Sequence, residues 1–154
     1  MKKFMTVAAL LLLTIIASAQ TDFSGKWKLN KEKSTMNSEF SMAPSELIIV
    51  QSGNEINLER HSSFQGETMI LKDKITLDGK ESINSGFMDT KKKSVAVFSA
   101  DKTVLTIDSK IAMEDGNEIA IKEILSIVNG NLILDSSNKS SWGDTKEKLT
   151  FDKQ

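Results

Sequence analysis

Charged side chains fall at three positions of this 154-residue sequence where the surrounding pattern is apolar. Arg60, Asp73 and Glu123 each continue a series in which every second residue is Ile or Leu, and Asn138 continues another. Every second side chain of a β-strand faces the same side, so the alternation places these residues on the face that forms a core. A charge there is costly unless it is paired and hydrogen-bonded. The pattern predicts an internal polar cluster in which Asp73, Glu123 or a ligand carboxylate pairs with Arg60.

The planar guanidinium of Arg60 would suit the acidic head of an amphipathic ligand, which it can bind through two parallel hydrogen bonds. Two other arrangements fit the same pattern. Arg60 could form a purely internal ion pair, or a β-bulge could turn its side chain to water, because one extra residue reverses the phase of a strand. The sequence leaves these three open, with Arg60, Asp73, Glu123 and Asn138 as the candidate ligand-binding residues.

Residue types that carry catalysis are scarce. His61 is the only His and falls on the outward phase, and the chain has no Cys. A lone His with scattered carboxylates makes no transition-metal site. Asp73 and Glu123 are of the type that glycoside hydrolysis uses, but the sequence does not fix the distance between them. We expect no catalytic residue, no metal site, no cofactor and no enzymatic activity.

The elements that would position these residues are short runs rich in Ile, Leu, Val and Thr, separated by turn signals such as Asp78-Gly79 and Asn129-Gly130. Such pairs tolerate the positive φ of tight hairpins, and connections this short join antiparallel neighbours. We predict strands near residues 24–30, 45–52, 55–64, 67–77, 80–88, 92–99, 103–113, 117–128, 131–139 and 145–152. The polar stretch 31–43, which precedes the only proline, predicts one short helix or a loop.

The expected fold is all-β, an antiparallel up-and-down meander barrel of about 8–10 strands that is lipocalin-like, because closing the sheet removes its unpaired edges. A two-sheet sandwich fits the same strand count. An outer-membrane barrel is disfavoured, because the second face of the strands carries Lys, Glu and Asp. The alternation places Ile83, Phe87 and Trp142 inside. The run of three lysines at 91–93 falls at a turn, which predicts a solvated hairpin end.

Residues 1–19 have the features of a cleaved signal peptide. Two lysines follow Met1, residues 7–17 are almost unbroken apolar sequence, and Ala17-Ser18-Ala19 offers a cleavage site before Gln20. The apolar run is shorter than the roughly 20 residues of a membrane span. We therefore expect an exported protein, periplasmic or secreted, in which residues 20–154 form a single domain without a membrane span.

The charge of that domain indicates which partners it can bind, and its cysteine content indicates what stabilises it. Without Lys2 and Lys3 it has 18 basic and 21 acidic residues, a net charge near −3. A mildly acidic surface does not attract phosphate backbones, so we expect no nucleic-acid partner. The absence of Cys excludes a disulfide framework, and stability must come from the core.

The segment Phe23-Ser24-Gly25-Lys26-Trp27-Lys28-Leu29-Asn30, followed by Lys31-Glu32-Lys33-Ser34, opens the first predicted strand. A Gly-x-Trp at this place in an all-β meander resembles the lipocalins and the wider calycin group. The longer string resembles the opening of small exported bacterial lipocalin-like proteins.

The resemblance implies that Gly25 and Trp27 form a barrel-end motif, in which the indole closes one end of the barrel beneath a basic side chain from near the last strand. Lys146, Lys148 or Lys153 could take that role, since the arginine usual in the family is absent there. The resemblance also implies an interior that holds one small lipophilic or amphipathic ligand. Binding or carriage of such a ligand is the expected function. The alternative is a non-enzymatic interaction module with a packed core, which contacts a protein or cell-envelope partner.

Overall fold

The structure, a computed structural model, describes residues 19–37, 41–64 and 66–154. Residues 1–18 of the predicted signal peptide and residues 38–40 of the predicted helix or loop lie outside the described residues. The strands are β1 (Gly25–Leu29), β2 (Glu46–Ser52), β3 (Glu55–Phe64), β4 (Glu67–Thr76), β5 (Ser82–Ser85), β6 (Lys91–Phe98), β7 (Leu105–Ala112), β8 (Glu118–Val128), β9 (Asn131–Ser140) and β10 (Gly143–Lys153), with a 3₁₀ turn at Phe87–Asp89.

The ten strands form one antiparallel sheet in the order β4-β3-β2-β1-β10-β9-β8-β7-β6-β5. β1 pairs with β10, so that Trp27 lies opposite Lys153, and this pairing curls the meander into a nearly closed barrel. The prediction of an all-β up-and-down barrel is confirmed, and a single sheet of this order is not the two-sheet sandwich. The tight connections that joined the predicted strands therefore join neighbours in space.

Side chains join β4 to β5, which occupy the two ends of the sheet order. The backbone N–H of Lys74 on β4 donates to Oδ1 of Asn84 on β5 at 2.9 Å, and Nδ2 of Asn84 donates to the carbonyl oxygen of Lys74 at 3.1 Å. The N–H of Thr76 donates to Oγ of Ser82 at 3.1 Å. These bonds satisfy β4 backbone groups at the place where the barrel closes.

Apolar side chains fill the lower end of the barrel, which we define by the turns 53–54, 77–81, 99–104 and 129–130. The Phe23 and Phe98 rings stack there with centroids 6.0 Å apart. Each fully buried large aliphatic side chain stabilises the fold by about 1.5–3 kcal/mol. The buried cluster consists of Phe23, Trp27, Leu47, Ile49, Ile56, Leu58, Ile75, Ala96, Leu105, Ile107, Leu125, Leu132, Leu134, Leu149 and Phe151.

The upper end carries the segment between β1 and β2, the turn residue Gly66 and the turns 86–90, 113–117 and 141–142. The described residues 30–37 and 41–45 of that segment contain no helix, so the loop alternative is what forms in them. Thr35 makes a β-bridge to Lys148 on β10, which holds the segment against the wall. No helix in the described part of the chain is long and apolar enough to cross a membrane.

The predicted inward position is wrong for three apolar residues: Ile83 is 61 % exposed, Phe87 40 % and Trp142 66 %. β5 is short, and its Ser82 and Asn84 side chains turn toward β4, so Ile83 points the other way. Phe87 lies in the 3₁₀ turn and Trp142 in the β9–β10 turn. The strand alternation does not extend to those turns.

Candidate functional site

Four charged residues meet on the interior face above the packed lower end: Arg60 on β3, which is mostly buried, and Asp73 on β4, Lys92 on β6 and Glu123 on β8, which are buried. We call them the quartet. Nη1 of Arg60 donates to Oδ2 of Asp73, and Nη2 of Arg60 donates to Oε2 of Glu123 at 2.8 Å. Nζ of Lys92 donates to the same Asp73 oxygen at 2.8 Å. Because none of the four side chains is more than 12 % exposed, the quartet is part of the interior.

The register of the strands explains why these residues meet. Arg60 lies opposite Leu71, and Asp73 lies opposite Leu58, so Arg60 and Asp73 are diagonal neighbours on the inner face of the β3–β4 hairpin. Lys92 lies opposite Asn84 and reaches past β5 to Asp73. Two neighbouring residues of β4 are therefore bound from across the closure: Lys74 by the side-chain amide of Asn84, and Asp73 by the ammonium group of Lys92.

Arg60 and Asp73 keep their charges. Burial opposes ionisation of Asp73, but the positive charges of Arg60 and Lys92 and their hydrogen bonds outweigh it and lower the pKa of Asp73. Burial likewise opposes the charge of Arg60, but the charges of Glu123 and Asp73 raise the pKa of its guanidinium. The ion pairs of the quartet thus join two basic side chains to two acidic ones inside the barrel.

Above the quartet the inward-facing side chains of β4, β8 and β9 are only partly buried, whereas Ile111 on β7 stays buried. On β8 they pass from buried Leu125 to partly exposed Ile121, and on β9 from buried Leu134 to partly exposed Asn138. Leu71 on β4 is partly exposed in the same phase. The filled lower end thus gives way toward the upper end to an accessible lining, which is largely apolar.

Asn138 lies in this upper lining, opposite Ile121 and one inward position above Ser136, which is opposite Glu123. Its Oδ1 is buried and has no hydrogen-bond partner among the described residues. A buried acceptor of this kind costs free energy unless a donor reaches it. The structure therefore brings Arg60, Asp73 and Glu123 together and places Asn138 on the upper side of them.

Lys92 is the member of the quartet that the sequence analysis missed. The three-lysine run does not sit in a solvated hairpin end; it begins β6, and its middle residue faces inward while Lys91 and Lys93 face out. Alternation of Lys92 with the small residues Ser94 and Ala96, both buried, is the signal that could have found it. A run of like charges obscured that alternation.

The arrangement offers little to catalysis. Asp73 and Glu123 both bind Arg60 instead of flanking an open space between two free carboxyl groups. His61 faces outward, where its Nε2 lies 2.6 Å from Oε1 of Glu59. Within the described residues, no three His, Cys, Asp or Glu side chains are grouped so that they could hold a metal ion.

The barrel-end motif lies at the lower end. Nζ of Lys153 lies 5.3 Å from the centroid of the buried Trp27 ring, so Lys153 is the basic residue that covers the indole. Gly25 has a φ of 153°, and a Cβ at that position would lie 3.2 Å from both Cε of Lys153 and Nε1 of Trp27. Glycine is therefore the residue that fits beside this contact.

Two open grooves lie on the outer wall. One, of about 400 Å³, is lined mainly by outward-facing side chains of β8, β9 and β10, among them Lys122, Asp135 and Lys146. The other, of about 190 Å³, crosses β2, β3 and β4 as far as Asn84 on β5. The grooves offer mixed charge and no concentrated set of reactive groups.

Comparison with protein-family models gave no match, and comparison with curated protein sequences gave no significant match. Among solved structures, zebrafish ileal bile acid-binding protein in complex with cholic acid matches with a TM-score of 0.59 at 18 % identity, over 86 % of this chain and 98 % of that one. Apo lipid binding protein 8 of Caenorhabditis elegans matches with a TM-score of 0.58 at 16 % identity, over 86 % and 95 %. The fold is that of a calycin-type barrel.

A luciferase domain from the dinoflagellate Lingulodinium polyedrum matches with a TM-score of 0.50 at 9 % identity, over 82 % of this chain and 41 % of that one. The calycin-type barrel thus occurs in proteins named for binding and in one named for catalysis. At identities this low the likeness concerns the fold, and function has to be argued from the site.

Proposed function

We propose that this calycin-type barrel binds one small lipophilic or amphipathic molecule in its upper interior and carries or sequesters it without chemical change. The observation that carries the proposal is the change along the inward faces of β4, β8 and β9, from filled core to partly exposed lining, with Ile121 and Leu71 on either side of the quartet. Side chains that merely filled the barrel would stay buried along its whole length. An apolar lining with a few convergent polar groups is the usual composition of a ligand site.

The neighbours among solved structures support the same proposal. One is named as a bile acid-binding protein and is complexed with cholic acid, and another is named as a lipid binding protein. In both cases the match extends over nearly the whole length of the neighbour's chain. A lipophilic molecule is therefore the class of ligand to test first.

We further propose that the protein is exported from a bacterial cell, to the periplasm or beyond, after cleavage between Ala19 and Gln20. The signal features of residues 1–19 support this. Residues just after that bond also belong to the barrel: the N–H of Thr21 donates to the carbonyl oxygen of Lys102 at 2.9 Å, and Phe23 is fully buried. The intact mass of the protein recovered from a periplasmic extract tests it, since a chain that still carries residues 1–19 would contradict cleavage.

Native mass spectrometry tests the ligand proposal. We expect the periplasmic protein, or the protein incubated with a mixture of fatty alcohols, fatty acids and isoprenoids, to show added mass that leaves on denaturation. Leu71→Trp would fill the upper interior and reduce this added mass at least tenfold. Ile70→Trp is the matched control, because the neighbouring side chain points outward and is exposed.

A second candidate, a non-enzymatic interaction module, is favoured by the larger outer groove and by the exposed Trp142. The same experiment separates the two. If neither the purified nor the incubated protein carries added mass, the interior is not a ligand site, and the outer wall becomes the functional surface. Binding that Leu71→Trp and Ile70→Trp reduce equally would also contradict an interior site.

A further inference from the structure

The charges that face the upper interior have a definite balance. The quartet contributes two cations and two anions, each already in an ion pair. Glu147 on β10 lies in the same inward phase as Leu149, and its Oε1 accepts the N–H of Asn37 at 2.9 Å. No further cation faces inward from the described strands above the quartet. The polar part of the proposed site is therefore balanced or slightly negative.

This balance bears on the head group of a ligand. A carboxylate that entered beside Arg60 would meet Asp73 and Glu123 already bound there, and it would add an unpaired negative charge to a buried site. Burial of an uncompensated charge is strongly unfavourable. An uncharged hydroxyl adds no charge, and it both donates and accepts hydrogen bonds.

Acceptors and donors for a hydroxyl are present. Oδ1 of Asn138 is buried without a hydrogen-bond partner among the described residues. A carboxylate has about four lone-pair sites on its two oxygens, so Glu123 can accept from a further donor while it holds Arg60. Lys92 has N–H groups beyond the one that it donates to Asp73. These groups face the interior at the quartet and just above it.

We infer that the interior site takes an uncharged lipid-like molecule that bears a hydroxyl group, and that it discriminates against carboxylates with the same apolar part. The inference rests on the proposed ligand-binding function and names its ligand class. The hydroxyl lies between Asn138 and the quartet, and the hydrocarbon lies along Leu71 and Ile121.

Displacement of the neutral dye Nile red from the full barrel tests this with dodecan-1-ol, dodecanoate and dodecylammonium at pH 7.4. We expect dodecan-1-ol to displace the dye at a concentration at least tenfold lower than either charged molecule. Dodecanoate or dodecylammonium that displaces at an equal or lower concentration would overturn the inference and leave the ligand-binding function standing. If the dye does not bind and none of the three adds mass in native spectra, the proposed function itself fails.

Glu123→Gln provides a second arm, because it leaves one positive charge of the quartet in excess. The ratio of the dodecanoate concentration to the dodecan-1-ol concentration that displaces the dye should then fall at least fivefold. Asp135→Asn removes the same charge from the outer face of β9 and should leave the ratio unchanged. If Glu123→Gln does not fold, Glu147→Gln makes the same change in the upper interior without touching the quartet. A ratio that stays fixed in the folded variant contradicts the inference.

Discussion

The ammonium group of Lys153 lies over the indole of Trp27, with Nζ 5.3 Å from the ring centroid. Trp27 is buried, and its Nε1 donates to the carbonyl oxygen of Phe23 at 2.9 Å, so both the polar edge and one face of the ring have partners. The contact joins β1 to β10 at the lower end of the barrel. It is the feature that the Gly-x-Trp resemblance implied, with lysine in place of arginine.

Lys153→Ala should lower the free energy of unfolding by about 0.5–1 kcal/mol, the range for a cation–π contact near the surface. Trp27→Ala should lower it by about 3–5 kcal/mol, because a large buried side chain is removed. Urea denaturation followed by circular dichroism measures both. Lys146→Ala is the control, since that lysine is exposed on the same strand. Equal effects of Lys153→Ala and Lys146→Ala would contradict a role for the indole contact.

Arg60→Met should destabilise the barrel by about 3–5 kcal/mol, because it leaves Asp73 and Glu123 buried with less compensation. Lys72→Met on the outward face of the same hairpin removes a surface ion pair with Glu59 and should cost no more than about 1 kcal/mol. Urea midpoints of the two variants give the comparison. Similar midpoints would mean that the quartet contributes little to stability.

Acid should weaken the barrel through Asp73. Its pKa in the folded chain is below the ordinary 3.8, so its ionised form stabilises the fold above that pH. The contribution is lost as the pH falls through the lowered pKa. The free energy of unfolding of the wild type should therefore fall more steeply below about pH 4 than that of Asp73→Asn. Asp115→Asn, which alters an exposed carboxylate bonded by the N–H of Asn117, should change this slope less.

Asn84→Ala should loosen the place where the barrel closes. It removes the two bonds from the side-chain amide to the Lys74 backbone, so the Lys74 N–H should exchange with deuterium at least tenfold faster. Asn57→Ala is the matched control, because that amide bonds the surface carboxylate of Glu55. Unchanged protection of the Lys74 N–H would show that the hydrogen bonds from the Asn84 side chain are not what closes the barrel.

The fold was predictable to a large degree because its turns are explicit. Pairs such as Asp78-Gly79 and Asn129-Gly130 separated the strands, and all ten formed. Errors appeared where the alternation stops: β5 is short, so Ile83 faces out, and Trp142 lies in a turn. The alternation of polar and apolar residues along a strand predicts a face only while the strand lasts.

The candidate site was predictable in part. The inward phase of Arg60, Asp73 and Glu123 could be inferred from their own strands. That Arg60 binds both carboxylates depends on the curvature that brings β8 across from β3, which no local pattern encodes. Lys92 was missed because the run of like charges obscured its inward phase, and its partner Asp73 lies on β4, beyond the strand next to it.

The pairing of β1 with β10 also has a consequence for biosynthesis. Trp27 can find Lys153 only after β10 has left the ribosome, so β1 keeps an unpaired edge through most of translation. During that time the growing chain exposes an incomplete sheet. The barrel can therefore close only after the β9–β10 hairpin has been synthesised and β10 has paired with β1.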